Sequence, residues 1–443
     1  MNDKPNGKCR YKQLTPHRVL NQAARNRGLF AVVIGLLLAV PSLHAELRVK
    51  PNDVVALCGD SNMMPGMASM EVGKYLLMCQ PVAGVHVIQA GCGGERLVDF
   101  MNRIAADLPP YRPTVVLASH GVDEGKNDPL IQTFADAHLR DQTKAIEALK
   151  KIGVKTIVLG SPGCSDPFYL NGNPAAATWN KNLARIRDLD RQVASKEGVE
   201  FADVYASMNE ALPKAKAAYG EKYVFAGTDG LHPDGNGQLI VAYTFLKALG
   251  CDGAIGTITV DLATDKAEGT PGHKILSAKN GVVEIESTRY PFCFRGNPDQ
   301  PGSTTGIVQC FPFNEDLNRF LLVVKGLTAP KAKITWGDQS REFSAAELEK
   351  GVNLAAVFAT HTPFDAQFAK VEGAVEGQQG PEFIFTQFFF HNIEDFKTMA
   401  PGKIGAINKL TTAMVEQDRH RGDAAAALVI PVRHTIKVEP ISR

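Results

Sequence analysis

Asp53-Val54-Val55-Ala56-Leu57-Cys58-Gly59-Asp60-Ser61-Asn62 is the stretch on which the reading of this chain turns. An apolar run with no polar interruption predicts a strand buried on both faces, the kind found in parallel sheets. It passes without a spacer into Gly-Asp-Ser, ahead of a helix expected from near Pro65. A serine is thereby set on the turn at the carboxyl end of the first strand, where open α/β sheets carry their reactive groups. Working outward, similar runs recur at Val85 to Gln89, Thr114 to Ser119, Thr156 to Gly160 and Glu200 to Asp203. Between them Leu130 to Lys151 and Ala175 to Lys196 have helical periodicity, with Gly153 and Gly198 where those helices should stop. This alternation predicts a five-stranded, doubly wound α/β domain over residues 46–252.

The patterning changes at Gly250 to Gly256, after a helical stretch from Gly237 to Leu249. Ile258, Val260 and Leu262 alternate with polar residues, as do Val283 and Ile285, with less regular runs at Phe320 to Val324 and Lys333 to Trp336. Period two indicates a second, β-rich (α+β) region over residues 253–443. Ala345 to His420 mixes helical and loop signals, and a strand pair is expected near Leu428 to Val432 and Thr435 to Val438. The consecutive phenylalanines between Phe383 and Phe390 read as packed core, with a sugar-stacking surface as the alternative.

Composition narrows the class. The 443 residues are 44% hydrophobic and 21% charged, a folded protein of about two domains. Residues 1–45 hold seven of the basic residues against Asp3 alone, followed by an apolar run from Leu29 to Val40, then Pro41, Ser42 and Ala45. That order is expected of an export signal cut near Ala45, and the run falls short of the ~20 residues a membrane-spanning helix needs. The expected product is periplasmic or secreted, with no stable membrane insertion. Without the leader 41 basic residues face 46 acidic ones, which gives nucleic acid no concentrated basic face. Cys9 leaves with the leader, and seven cysteines remain. Cys293 and Cys310 are the best placed for a disulfide in an oxidising compartment; the alternative is that all seven are small buried residues. No CxxC pair or Cys/His cluster suggests a metal site.

A serine hydroxyl needs a base to take its proton, and the base needs an acid to hold its tautomer. Both occur together in Asp229-Gly230-Leu231-His232-Pro233. This short loop lets the carboxylate reach Nδ1 while Nε2 faces the serine. Gly-Asp-Ser after strand one, combined with Asp-x-x-His before the last helix of the same domain, resembles the SGNH (GDSL-like) serine hydrolases. The resemblance covers Asp53 to about Leu249 and implies a flavodoxin-like three-layer α/β/α sandwich. It also implies an esterase using Ser61, His232 and Asp229 through an acyl-enzyme, with no metal or organic cofactor. In that family an oxyanion glycine follows strand two, and by position Gly94 in Gln89-Ala90-Gly91-Cys92-Gly93-Gly94 takes this role beside the Ser61 backbone.

The third family block, Gly-x-Asn after strand three, is altered here to Gly121-Val122-Asp123. An ionised carboxylate would repel the oxyanion that asparagine stabilises, and one lost donor costs ~10²–10³ in turnover. Three accounts stand: Asp123 donates as a protonated acid, Asn127 of Gly125-Lys126-Asn127 supplies the donor, or activity is low or lost. His120 stands beside this block, either bonded to Asp123 or packed and satisfied elsewhere. Beyond residue 250, Gly351-Val352-Asn353-Leu354-Ala355 after a β-rich segment resembles the C-terminal region of some exported bacterial members. The expected activity is hydrolysis of carboxylic esters, with short acyl groups on carbohydrate preferred. A lipase, lysophospholipase or thioesterase activity is the first alternative. A catalytically weak carbohydrate-binding protein is the second.

Overall fold

The computed structural model describes residues 46–64, 68–126, 130–170 and 176–442; the leader, Pro65 and Asn127 lie outside them. Five strands, β1 (Val54–Gly59), β2 (His86–Gly91), β3 (Val115–Ser119), β4 (Thr156–Gly160) and β5 (Glu200–Ala202), form one sheet. All pairs are parallel and the order is β2-β1-β3-β4-β5, the flavodoxin-like order. The strands are mostly apolar because both faces are covered. Val55 and Leu57 face α1 (Ala68–Lys74) and two later helices, α5 (Val204–Tyr219) and α6 (Gly235–Ala248). Ala56 and Cys58 face α2 (Leu97–Asp107), α3 (Gln132–Lys151) and α4 (Ala176–Glu197), as period-two alternation requires.

From Gly253 onward the chain builds two further sheets. The first has the order β13-β10-β6-β7, from β6 (Ala254–Asp261), β7 (Lys266–Gly269), β10 (Arg319–Lys325) and β13 (Val352–Asn353). The second has the order β12-β11-β14-β9-β8 and is antiparallel throughout. Its strands are β8 (His273–Lys279), β9 (Val282–Ser287), β11 (Lys331–Trp336), β12 (Gln339–Ser344) and β14 (Val432–Ile441). Phe320, Trp336, Phe358 and Phe364 are fully buried and pack on one another between these elements. The expected strand pair near the C-terminus is a single strand: α12 (Ile404–Ala427) runs almost to Leu428, and β14 starts at Val432. Short helices α7 (Phe313–Asp316), α8 (Ala345–Lys350), α9 (Leu354–Val357) and α11 (Ile393–Met399) connect these parts, and α10 (Asp365–Ile384) is long.

Helix α10 solves a problem that the parallel sheet poses. Strand β2 is an edge, and its unpaired peptide groups would be buried without partners. Side chains of α10 and the turn after it take the place of a sixth strand. Glu382 accepts from Gln89 N–H at 2.9 Å, Thr386 Oγ1 donates to the Gln89 carbonyl at 3.2 Å, and Gln387 donates to the Gly91 carbonyl. The aromatic run divides accordingly. Phe390 is buried and Phe385 and Phe389 pack beneath it, whereas Phe388 is 63% exposed. All seven described cysteines are free thiols. Cys293 and Cys310 are not paired; Cys293 instead lies 3.4 Å from Thr362 Oγ1.

Candidate active site

The chain leaves β1 through Gly59, whose φ of +149° and contact with the Ser119 carbonyl exclude a side chain: an added Cβ would lie 2.1 Å from that oxygen. The turn that follows is fixed by Asp60. One carboxylate oxygen accepts from Asn62 N–H at 3.0 Å and caps the short helical turn of Ser61–Met63; the other accepts from Val122 N–H at 3.0 Å. Burial pushes the Asp60 carboxyl up to about 6, against the pull of His120 and these two backbone donors. Asp60 therefore ties the serine turn to the turn after β3.

Ser61, His232 and Asp229 are brought together in one line. Ser61 Oγ lies 2.7 Å from His232 Nε2, and His232 Nδ1 lies 2.5 Å from Asp229 Oδ2. The other Asp229 oxygen accepts from Leu231 N–H at 3.0 Å and His232 N–H at 3.1 Å, so the loop folds around its own carboxylate. Partial burial raises the Asp229 pKa, but the bond to His232 and the two backbone donors outweigh it and hold the group below its usual range. An ionised Asp229 keeps the imidazole proton on Nδ1, which leaves Nε2 free to accept from Ser61. The loop is anchored from outside where Asp166 N–H donates to the Gly230 carbonyl at 2.8 Å. The line is open to solvent, with the side chains of His232 43% and Asp229 52% exposed.

Gly94 sits in a turn closed by the Glu95 N–H to Cys92 carbonyl bond, with φ +73° and nothing within 4 Å of where a Cβ would be. Its glycine answers to backbone conformation, and the space above it is open. Beneath it lies a buried charge cluster that sequence reading missed. Glu95 Oε2 accepts from Arg103 at 2.8 Å and meets His120 Nε2 at 3.2 Å; burial would raise its pKa, but these partners hold it below the usual range. The partner of His120 is thus Glu95 and not Asp123. Asp123 follows Val122, whose N–H Asp60 binds, so the altered third block lies beside the serine turn. Gln387 from the C-terminal region clamps the second block, donating to the Gly91 carbonyl and accepting from Cys92 Sγ at 3.4 Å. Apart from Glu95 with Arg103, eight residues on, these ties join segments 25 or more residues apart and leave no local sequence signal.

A second C-terminal element also reaches this face. Arg295 pairs with Glu71 in α1 at 3.1 Å, and the Pro301 carbonyl accepts from Asn236 N–H in the first turn of α6 at 2.9 Å. Helix α6 starts three residues after His232, so the loop between Arg295 and Pro301 ends beside the segment that carries the base, with Asn297, Asp299 and Gln300 exposed.

Comparison with known proteins agrees with this architecture. The GDSL-like lipase/acylhydrolase family profile matches residues 72–240, which include Gly94, Asp123, Asp229 and His232. No curated protein sequence matches the chain. A gut microbial diltiazem-metabolizing enzyme has the same fold over 89% of this chain and 98% of its own, at TM-score 0.66 and 21% identity. An acetylxylan esterase from Geobacillus stearothermophilus aligns over 46% of this chain and 96% of its own, at TM-score 0.37 and 19% identity. An α/β hydrolase from the metagenome of Lake Arreo, Spain, aligns over 46% and 98% at TM-score 0.38 and 19% identity. Residues 72–240 are a GDSL-like lipase/acylhydrolase domain built on a flavodoxin-like sheet, the domain of a carboxylic ester hydrolase.

Proposed function

We propose that this protein is an exported serine esterase that removes short acyl groups, acetyl foremost, from carbohydrate. The observation that carries the proposal is the solvent-open hydrogen-bonded line from Ser61 through His232 to Asp229. Ser61 Oγ attacks the ester carbonyl and passes its proton to His232 Nε2, and Asp229 stabilises the imidazolium that forms. The backbone N–H groups of Ser61 and Gly94 receive the developing oxyanion, with Asp123 at the third position. His232 then gives its proton to the departing alkoxide. Water, deprotonated by the same imidazole, releases the acid from Ser61 and restores the enzyme.

A site this exposed accommodates a bulky, hydrated alcohol more readily than it excludes water from a long acyl chain. The polar loop between Arg295 and Pro301 borders the same face and presents hydrogen-bonding groups suited to hydroxyls. Export rests on the cationic leader and its apolar run; among the described residues no helix is long and apolar enough to cross a membrane. Hydrolysis of acetylated xylooligosaccharides should exceed that of a long-chain p-nitrophenyl ester in kcat/KM. A preference for the long chain would move the assignment to the lipase class.

A further inference from the structure

Ser61 and His232 stand 171 residues apart in sequence, yet their side chains meet at 2.7 Å. Each sits in a short or irregular segment: Ser61 in a single helical turn, His232 near the end of the loop before α6. The bond between them cannot hold both segments in place, because it must be broken and remade in each half of the reaction described above. Another tie is needed. Gln238, on the first turns of α6, is buried at 6% exposure, and its amide nitrogen reaches both segments. Nε2 donates to the Asn62 carbonyl at 3.0 Å and to the Pro233 carbonyl at 3.3 Å. Asn62 is the residue after Ser61 and Pro233 the residue after His232. The two hydrogens of one amide thus hold the carbonyls of the residues that immediately follow the nucleophile and the base.

Both acceptors are carbonyl oxygens, so only the amide NH₂ can face them, and the orientation of the Gln238 side chain follows. Its Oε1 is buried and accepts no hydrogen bond among the described residues. A side chain present only to fill this space would more favourably be apolar, since a buried acceptor without a partner destabilises the fold. The helix that carries Gln238 is itself immobilised, with Leu239, Ile240 and Phe245 fully buried against the sheet. The tie is therefore made from a rigid element to two less regular ones, the arrangement that fixes catalytic geometry.

We propose that Gln238 is a positioning residue for the Ser61–His232 pair, acting through the Asn62 and Pro233 carbonyls and not through substrate. The proposal rests on the triad assignment made above. It predicts an effect on the chemical step alone, because the substrate does not touch this amide.

The test compares wild type with Gln238→Met and Gln238→Glu, both similar in shape and neither with an amide donor. Turnover of p-nitrophenyl acetate and the rate of labelling by a fluorophosphonate would be measured, with kcat normalised to the fraction of protein finally labelled. Both variants should label to completion but about tenfold more slowly or worse, with kcat down in parallel and KM within about twofold, as misplacement of reacting groups predicts. A merely structural role would lower the fraction labelled and leave kcat per labelled site unchanged, which would overturn the proposal, as would wild-type behaviour of both variants. Ser61→Ala runs alongside. If it retains turnover, the triad assignment fails; if it is inactive while both Gln238 variants behave as wild type, the positioning role alone fails.

Discussion

Replacing Asp229 with asparagine isolates the contribution of one charge. Asp229 Oδ1 accepts two backbone N–H groups, from Leu231 and His232, and Oδ2 faces His232 Nδ1. In Asp229→Asn the side-chain oxygen can keep both backbone bonds, so the loop should retain its shape and the melting temperature should change little. The amide nitrogen must then face Nδ1. An NH₂ group cannot accept the Nδ1 proton, so the imidazole moves its hydrogen to Nε2 and presents a donor to Ser61 Oγ where an acceptor is needed. Two losses combine, the wrong tautomer and the missing countercharge for the imidazolium. Together these cost ~10⁴ in kcat in serine proteases built on the same line of three groups. A fall of ~10³–10⁴ is expected here, the lower figure because a half-exposed loop lets water share in stabilising the cation. The assay is hydrolysis of p-nitrophenyl acetate at saturating substrate, with circular dichroism to show that the fold is kept. A variant within about tenfold of wild type would refute the argument that Asp229 sets the tautomer.

Other outcomes follow from the same geometry. Gly94→Ala forces a side chain into φ +73° with open space around it, so a stability loss of about 1–2 kcal/mol is expected from conformation alone; denaturant unfolding measures it, and an unchanged midpoint would contradict the turn geometry. Asp123→Asn places the family's usual donor in the third block and should match or exceed wild-type kcat, whereas Asp123→Ala should fall by ~10²; equal rates for both would remove this residue from the oxyanion hole. Burial pushes the Asp418 carboxyl up to about 6, beside the buried Glu382 that caps β2. A raised carboxyl pKa favours folding fully below the unfolded value near 4 and progressively less as pH rises to about 6. Asp418→Asn should therefore gain on wild type by ~1–3 kcal/mol between pH 4 and pH 7 in urea unfolding, and a pH-independent difference would contradict the burial argument.

The five strands of the parallel sheet were legible because burial on both faces leaves apolar runs that local reading detects, and each lies within a few residues of its expected bounds. That Ser61, His232 and Asp229 meet in one hydrogen-bonded line was legible for a related reason: the serine directly follows a strand, and the other two share one loop. Helix α5 was missed because Pro213 lies inside it. Helix α10 was missed because Gly373, Gly377, Gly380 and Pro381 read as breakers. Its helical form depends on what it covers, since Glu382, Thr386 and Gln387 bind the free edge of β2, and no local pattern encodes that partnership. The same holds for Glu95 and His120, whose pairing joins the ends of two different strands. The expected Cys293–Cys310 bridge is not formed: both are buried free thiols, and the Cys293 sulfur lies against Thr362 Oγ1, a tertiary contact that spacing in the sequence does not reveal.

The central claim is that Ser61 is an activated nucleophile, and labelling with a fluorophosphonate followed by peptide mass spectrometry tests it most directly. The account predicts a stoichiometric phosphonyl adduct on the peptide containing Ser61, loss of esterase activity in step with labelling, and no adduct in His232→Ala over the same interval. An adduct on another residue, or full ester hydrolysis with Ser61 unlabelled, would contradict it.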